Sequence, residues 1–89
     1  MASTIHFIVS GRVQGVFFRA SCKKVADRYR VKGWVRNLPD GRVEGMATAE
    51  QTDLESFQAW LKQGPKMAEV SKLEVTEQPQ QVFDDFEIR

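Results

Sequence analysis

The stretch Ser10-Gly11-Arg12-Val13-Gln14-Gly15-Val16-Phe17-Phe18-Arg19 holds the residue types and spacing best suited to binding an anion. Two glycines bound a short loop and permit positive φ, so successive backbone N–H groups can turn toward one point and form an anion nest. If a helix follows, its first N–H groups have no intrahelical acceptor, and its dipole places partial positive charge at the same point. Arg19 falls at the start of that helix, where a planar fork of donors can match two phosphate oxygens at once. No Gly-Lys-Ser/Thr follows the loop, so it is not a nucleotide P-loop. Taken alone, two glycines and an arginine are a weak signal, and an ordinary strand-to-helix connection is the commoner reading.

The second segment is Gly33-Trp34-Val35-Arg36-Asn37-Leu38-Pro39-Asp40-Gly41-Arg42-Val43-Glu44. By itself it reads as strand, turn and strand, with Asn37 as a turn asparagine.

The elements that must position these segments follow from periodicity. Ile5, Phe7 and Val9 alternate with His6, Ile8 and Ser10, the pattern of a half-buried strand. From Phe18 the period becomes helical: Phe18, Cys22, Val25, Ala26 and Tyr29 share a face, and Lys23, Lys24, Asp27 and Arg28 take the wet one. That helix is expected to end near Tyr29 or Arg30. Trp34 to Arg36 and Val43 to Ala49 form a hairpin around the Pro39-Asp40-Gly41 turn. Thr52-Asp53-Leu54-Glu55 fits a capping box opening a second helix, with Leu54, Phe57, Trp60 and Leu61 as its stripe and Gly64-Pro65 as its stop. Val70, Leu73 and Val75 suggest a further strand, with Leu73 one residue out of strict alternation, and Phe86 and Ile88 a last short one. Trp34 is expected in the core and Trp60 at its edge. This order predicts an α+β ferredoxin-like βαββαβ sandwich over residues 1–89. Two helices pack on one face of a mostly antiparallel sheet, with a short extra C-terminal strand. The fold alone fixes no function.

Composition narrows the classes. The chain has 89 residues, 42% hydrophobic and 28% charged, which suits one globular domain. Thirteen basic residues against twelve acidic ones argue against bulk attraction to nucleic acid or membrane. No apolar run approaches the roughly 20 residues of a membrane span, and the N-terminus lacks signal-peptide character. A single cysteine, Cys22, fits a reducing, cytoplasmic setting. The charge is uneven: Arg12, Arg19, Lys23, Lys24, Arg28, Arg30 and Lys32 precede Gly33 against Asp27 alone. No His, Cys or carboxylate cluster has metal-ligand spacing, and no metal or cofactor is expected.

Together the two segments resemble the acylphosphatase family. Gly11 to Arg19 match its pattern Gly-x-Val-Gln-Gly-Val-x-Phe-Arg, and Gly33 to Val43 match its Gly-aromatic-Val-x-Asn-x-x-x-Gly-x-Val. Trp60-Leu61-Lys62 before Gly64-Pro65, and the terminal Phe86-Glu87-Ile88-Arg89, are similar to bacterial members. The resemblance implies the ferredoxin-like fold and hydrolysis of carboxyl–phosphate anhydrides such as acetyl phosphate, carbamoyl phosphate or a bisphosphoglycerate-type substrate. It implies that the loop Gly11, Arg12, Val13, Gln14, Gly15, Val16, Phe17 and Phe18 presents backbone N–H groups to the phosphate. By the same resemblance Arg19 binds that phosphate and Asn37 holds the attacking water. Inorganic phosphate or sulfate is the expected site ligand, and a monomer the expected state. Some members carry hydroxyl residues where this chain has Leu38 and Arg42, and many carry glycine where Arg30 stands.

The chemistry is consistent with so sparse a site. The leaving carboxylate is a weak base, with a pKa of about 4, and needs no general acid. Two rival readings exist. An RNA-binding module of related topology stacks bases on aromatics of its central strands, and Arg42 to Ala49 offers none. The acylphosphatase-like part of carbamoyl-transferring maturation enzymes belongs to far longer chains.

Overall fold

The computed structural model describes all 89 residues. Strand β1 (Ala2–Arg12) leads into α1 (Phe18–Arg28). The hairpin β2 (Lys32–Asn37) and β3 (Val43–Glu50) comes next, then α2 (Gln51–Gln63), β4 (Glu69–Gln78) and the short β5 (Phe86–Ile88). The sheet order is β4-β1-β3-β2-β5. All pairs are antiparallel except β2–β5, which is parallel. Both helices pack on one face, giving the ferredoxin-like sandwich expected from the pattern. No helix is long and apolar enough to cross a membrane.

The core lies between sheet and helices because strand side chains alternate in direction. Ile5, Phe7 and Val9 of β1, Val35 of β2, and Val43 and Ala47 of β3 point inward onto Cys22 and Ala26 of α1 and Leu54, Phe57 and Leu61 of α2. Three aromatic rings bridge the layers. Phe57 lies edge-on to Phe7 at 5.8 Å and to Phe86 at 5.9 Å, so it links α2 to both β1 and β5. Lys23 Nζ donates to the Phe86 carbonyl at 2.7 Å and ties the terminal strand to α1.

Four details differ from, or complete, the reading of the sequence. The out-of-phase spacing of Val70 and Leu73 is absorbed by a β-bulge: Ser10 pairs with Lys72 and Gly11 with Val70, leaving Ser71 unmatched. A side chain at Gly11 (φ 121°) would collide with the Glu69 carbonyl, so the bulge needs glycine there. The capping box does not form. β3 stays paired through Glu50, opposite Ala2, and the helix starts at Gln51, so Thr52 already lies inside it and Glu50 takes the cap position without a side-chain capping bond. Trp34 is not in the core. It stands on the open face of the sheet, with Arg36 and Arg89 over its ring at 5.3 and 5.2 Å. Trp60 does lie at the core edge, against Phe18. Arg30 adopts φ 57°, the left-handed conformation that favours glycine.

Candidate active site

The chain leaves β1 at Arg12 and reaches α1 at Phe18 through a short loop. Val13 and Val16 are buried in the core, which pins the loop to the body of the domain. Gly15 takes φ 74° with open space around its α-carbon, so conformation rather than crowding demands glycine there. Phe17 takes φ 62° as the residue before α1, a conformation that costs a non-glycine residue about 1–2 kcal/mol. The helix has no side-chain cap and no acidic residue in its first turn. None of the N–H groups from Val13 through Phe17 donates a hydrogen bond within the protein, since neither the loop backbone bonds nor the side-chain bonds use them. Five consecutive unpaired donors beside a helix N-terminus make a site that favours negative charge.

This loop borders a cleft of about 290 Å³. Val13, Gln14, Gly15, Phe17, Phe18 and Arg19 line it together with Ala20 and, from β5, Ile88. Arg19 is its one charged residue. It is half-buried and forms no ion pair with any carboxylate, so its guanidinium is available to an anion. Gly11 and Arg12 sit at the end of β1 outside the lining, and Val16 is beneath it.

Asn37 ends β2. By alternation with the buried Val35 it points to the helix side of the sheet. Its Oδ1 is buried and has no hydrogen-bond partner within the protein. Asn37 is not among the residues lining the cleft. It is joined to the loop through its neighbour: Gln14 Nε2 donates to the Leu38 carbonyl at 2.8 Å and the Arg42 carbonyl at 3.0 Å. The turn itself is closed by Leu38 N–H to the Arg42 carbonyl and by Asp40, which accepts from both the backbone and the side chain of Arg42. The Arg42 hydrogen bonds hold the Asp40 carboxyl below its ordinary range. An aspartate–arginine pair thus closes the turn that follows Asn37.

Other reactive side chains lie elsewhere. His6 is on the opposite face of the sheet, bonded to Glu44 at 2.8 Å. Cys22 is buried on α1, and burial pushes its thiol pKa up, which leaves it protonated and inert. No group of three His, Cys, Asp or Glu side chains could hold a metal.

Two contributors were not read from the sequence. Ile88 enters the cleft wall because β5 pairs in parallel with β2, with Ile88 opposite Val35. A three-residue strand carries no local sign of which edge it joins. Gln14 acts through its side chain, which the glycine-loop pattern does not reveal.

Fold and loop define a ferredoxin-like domain with an anion-receptive connection between its first strand and first helix. The chain matches the acylphosphatase family over residues 5–88, and it belongs to that family, whose members hydrolyse acyl phosphates. An acylphosphatase of Acaryochloris marina is 51% identical over 81 residues, covering 91% of this chain and 87% of the relative. The solved acylphosphatase of Coxiella burnetii superposes with a TM-score of 0.95 at 41% identity, covering 99% of this chain and 93% of that one. Full-length HypF, solved in a phosphate- and nucleotide-bound form, contains a similar region with a TM-score of 0.88 at 25% identity. That region spans all of this chain and 12% of HypF.

Proposed function

We propose that the loop from Arg12 to Phe18 and the Arg19 guanidinium bind the phosphate of an acyl phosphate, while Asn37 aims a water molecule at its phosphorus. The unpaired N–H groups and the Arg19 fork suit a PO₃ group whose charge is spread over its oxygens in a loose transition state. The observation that carries the second half is Asn37 Oδ1. A buried acceptor without a partner costs about 1–3 kcal/mol, and such groups call for a specific reason. Once a small movement of the side chain opens Oδ1 toward the cleft, accepting one O–H from a water satisfies it and leaves the water's lone pair free to face the phosphorus.

In this mechanism the water oxygen forms a bond to phosphorus as the bond from phosphorus to the acyl oxygen breaks. The electron pair leaves with the carboxylate, which needs no proton. The neutral amide of Asn37 cannot accept the proton of the water, so that proton passes to a phosphoryl oxygen. Catalysis is then positioning plus electrostatic stabilisation.

Steady-state hydrolysis of acetyl, benzoyl and carbamoyl phosphate tests this reading. Turnover insensitive to chelators and inhibited competitively by inorganic phosphate is expected. Absence of turnover on all three, or inhibition by phosphate that is not competitive, would overturn it.

A further inference from the structure

The cleft is larger than its phosphate end needs, and its remaining wall is apolar. Gly15, Arg19 and the polar Gln14 mark one end; Phe17, Ile88, Val13 and Ala20 supply most of the rest, with no carboxylate and no second cation. Phe17 is 74% exposed and Ile88 is 44% exposed, two of the few large hydrophobic residues left open on this protein. Phe17 is also unfavourable where it stands. It holds a left-handed backbone that glycine or asparagine would adopt more easily, and its ring gains almost no burial there. The adjacent Phe18, by contrast, is 2% exposed and anchors the helix. Neither local conformation nor packing accounts for an aromatic residue at position 17. Its place on the rim of the anion site does.

We propose that Phe17 and Ile88 form an acyl-group subsite, so that the favoured substrates carry an apolar acyl group, aromatic above all. This inference rests on the phosphate site described above. With the phosphate held at the loop and Arg19, the acyl group must extend along the cleft. A planar ring there can stack on or meet the edge of Phe17, and Ile88 closes the other side. A small acyl group such as acetyl leaves both side chains in water. A second anionic group on the acyl portion meets no partner in this lining.

The experiment compares kcat/KM for benzoyl phosphate and acetyl phosphate in the wild type, Phe17→Gly and Ile88→Ala. The ratio between the two substrates is the quantity read, because their intrinsic reactivities cancel when a variant is compared with the wild type. In each variant the benzoyl-to-acetyl ratio should fall about 3- to 10-fold, the scale of one aromatic or aliphatic contact. Phe17→Gly removes an exposed ring and relieves the backbone, so the variant should fold, and Ile88→Ala gives an independent check from the other wall. If wild type hydrolyses both substrates and both variants leave the ratio unchanged, the acyl subsite is refuted while the phosphate site stands. If the wild type hydrolyses neither substrate, the phosphate site is refuted and the subsite with it.

Discussion

Gln14 and Leu38 are joined across the site: the side-chain amide of the loop glutamine donates to the backbone carbonyl of the residue that follows Asn37, at 2.8 Å. A second bond, to the Arg42 carbonyl, uses the other amide hydrogen. The group that would hold phosphate and the group that would aim water lie on different elements, so this pair of bonds fixes their separation. Both carbonyls keep backbone donors of their own, Gly41 for Leu38 and Leu38 for Arg42. Gln14→Ala should therefore cost only about 1–2 kcal/mol of stability. It should lower kcat by roughly tenfold or more, because catalysis by positioning is sensitive to displacements below an ångström. Paired thermal melts and kinetics would show this. A normal kcat in the variant would mean that the loop and turn need no such tie.

Arg19→Ala should reduce kcat by about 10³ or more, since it removes the only charged residue of the cleft. Arg19→Lys should rescue little, because an ammonium cannot form two parallel bonds to a phosphate. Stability should hardly change in either variant, as Arg19 makes no ion pair that the fold would miss. Near-normal turnover by folded Arg19→Ala would remove this residue from the mechanism.

Asn37→Ala should lower kcat by roughly 10²–10³, with the inhibition constant of inorganic phosphate almost unaltered. The proposed roles are separate: the phosphate is held by the loop and Arg19, and the water by the Asn37 amide, whose buried Oδ1 has no protein partner. Loss of phosphate affinity in parallel with kcat would show instead that Asn37 binds the phosphate.

Much of this architecture was legible in residue patterns because each local signal agreed with the global fold. Alternation in Ile5, Phe7 and Val9, the helical stripe of Phe18, Cys22 and Ala26, and the Gly64-Pro65 stop all describe what formed. Most failures come from tertiary pairing that no short window contains. The capping box around Thr52 lost to the pairing of Glu50 with Ala2, which left no residues for a loop. Trp34 was expected inside because it is large and apolar, yet its phase in β2 puts it on the open face, where two arginines cover it. Within the site, the loop and Arg19 were visible as a motif. The contribution of Ile88 depended on which edge β5 would join.

Arg30 offers a test of backbone strain separate from function. At φ 57° it bears the cost of a side chain in the left-handed region, on the exit of α1 and remote from the cleft lining. Arg30→Gly should raise stability by about 0.5–1 kcal/mol, the relief of strain being partly offset by the greater freedom of glycine in the unfolded chain. Denaturant melts should show a higher midpoint with kcat and KM unchanged. A lower midpoint would indicate that the Arg30 side chain contributes more than its backbone costs.

Glu44 should make the fold sensitive to acid. Its carboxylate accepts from His6 at 2.8 Å and from Arg36 Nε at 2.7 Å, and these bonds, that from His6 foremost, hold its pKa below the ordinary value against the opposing effect of burial. The side chain is 16% exposed, while Arg36 is 51% exposed, so the arginine's share is weakened by solvent. Because the folded pKa lies below the unfolded one of about 4.3, the stabilisation is fully present above that value. It is lost as pH falls through the lower, folded pKa. Glu44→Gln should therefore cost about 1 kcal/mol near pH 7, and the gap to the wild type should start to narrow below about pH 4.3 and close only once the pH is under the folded pKa. Urea melts of both proteins from pH 7 down to pH 3 measure it directly. A gap that stayed constant across that range would mean that the charge of Glu44 contributes nothing to the fold, and that the cost of the variant comes from packing alone.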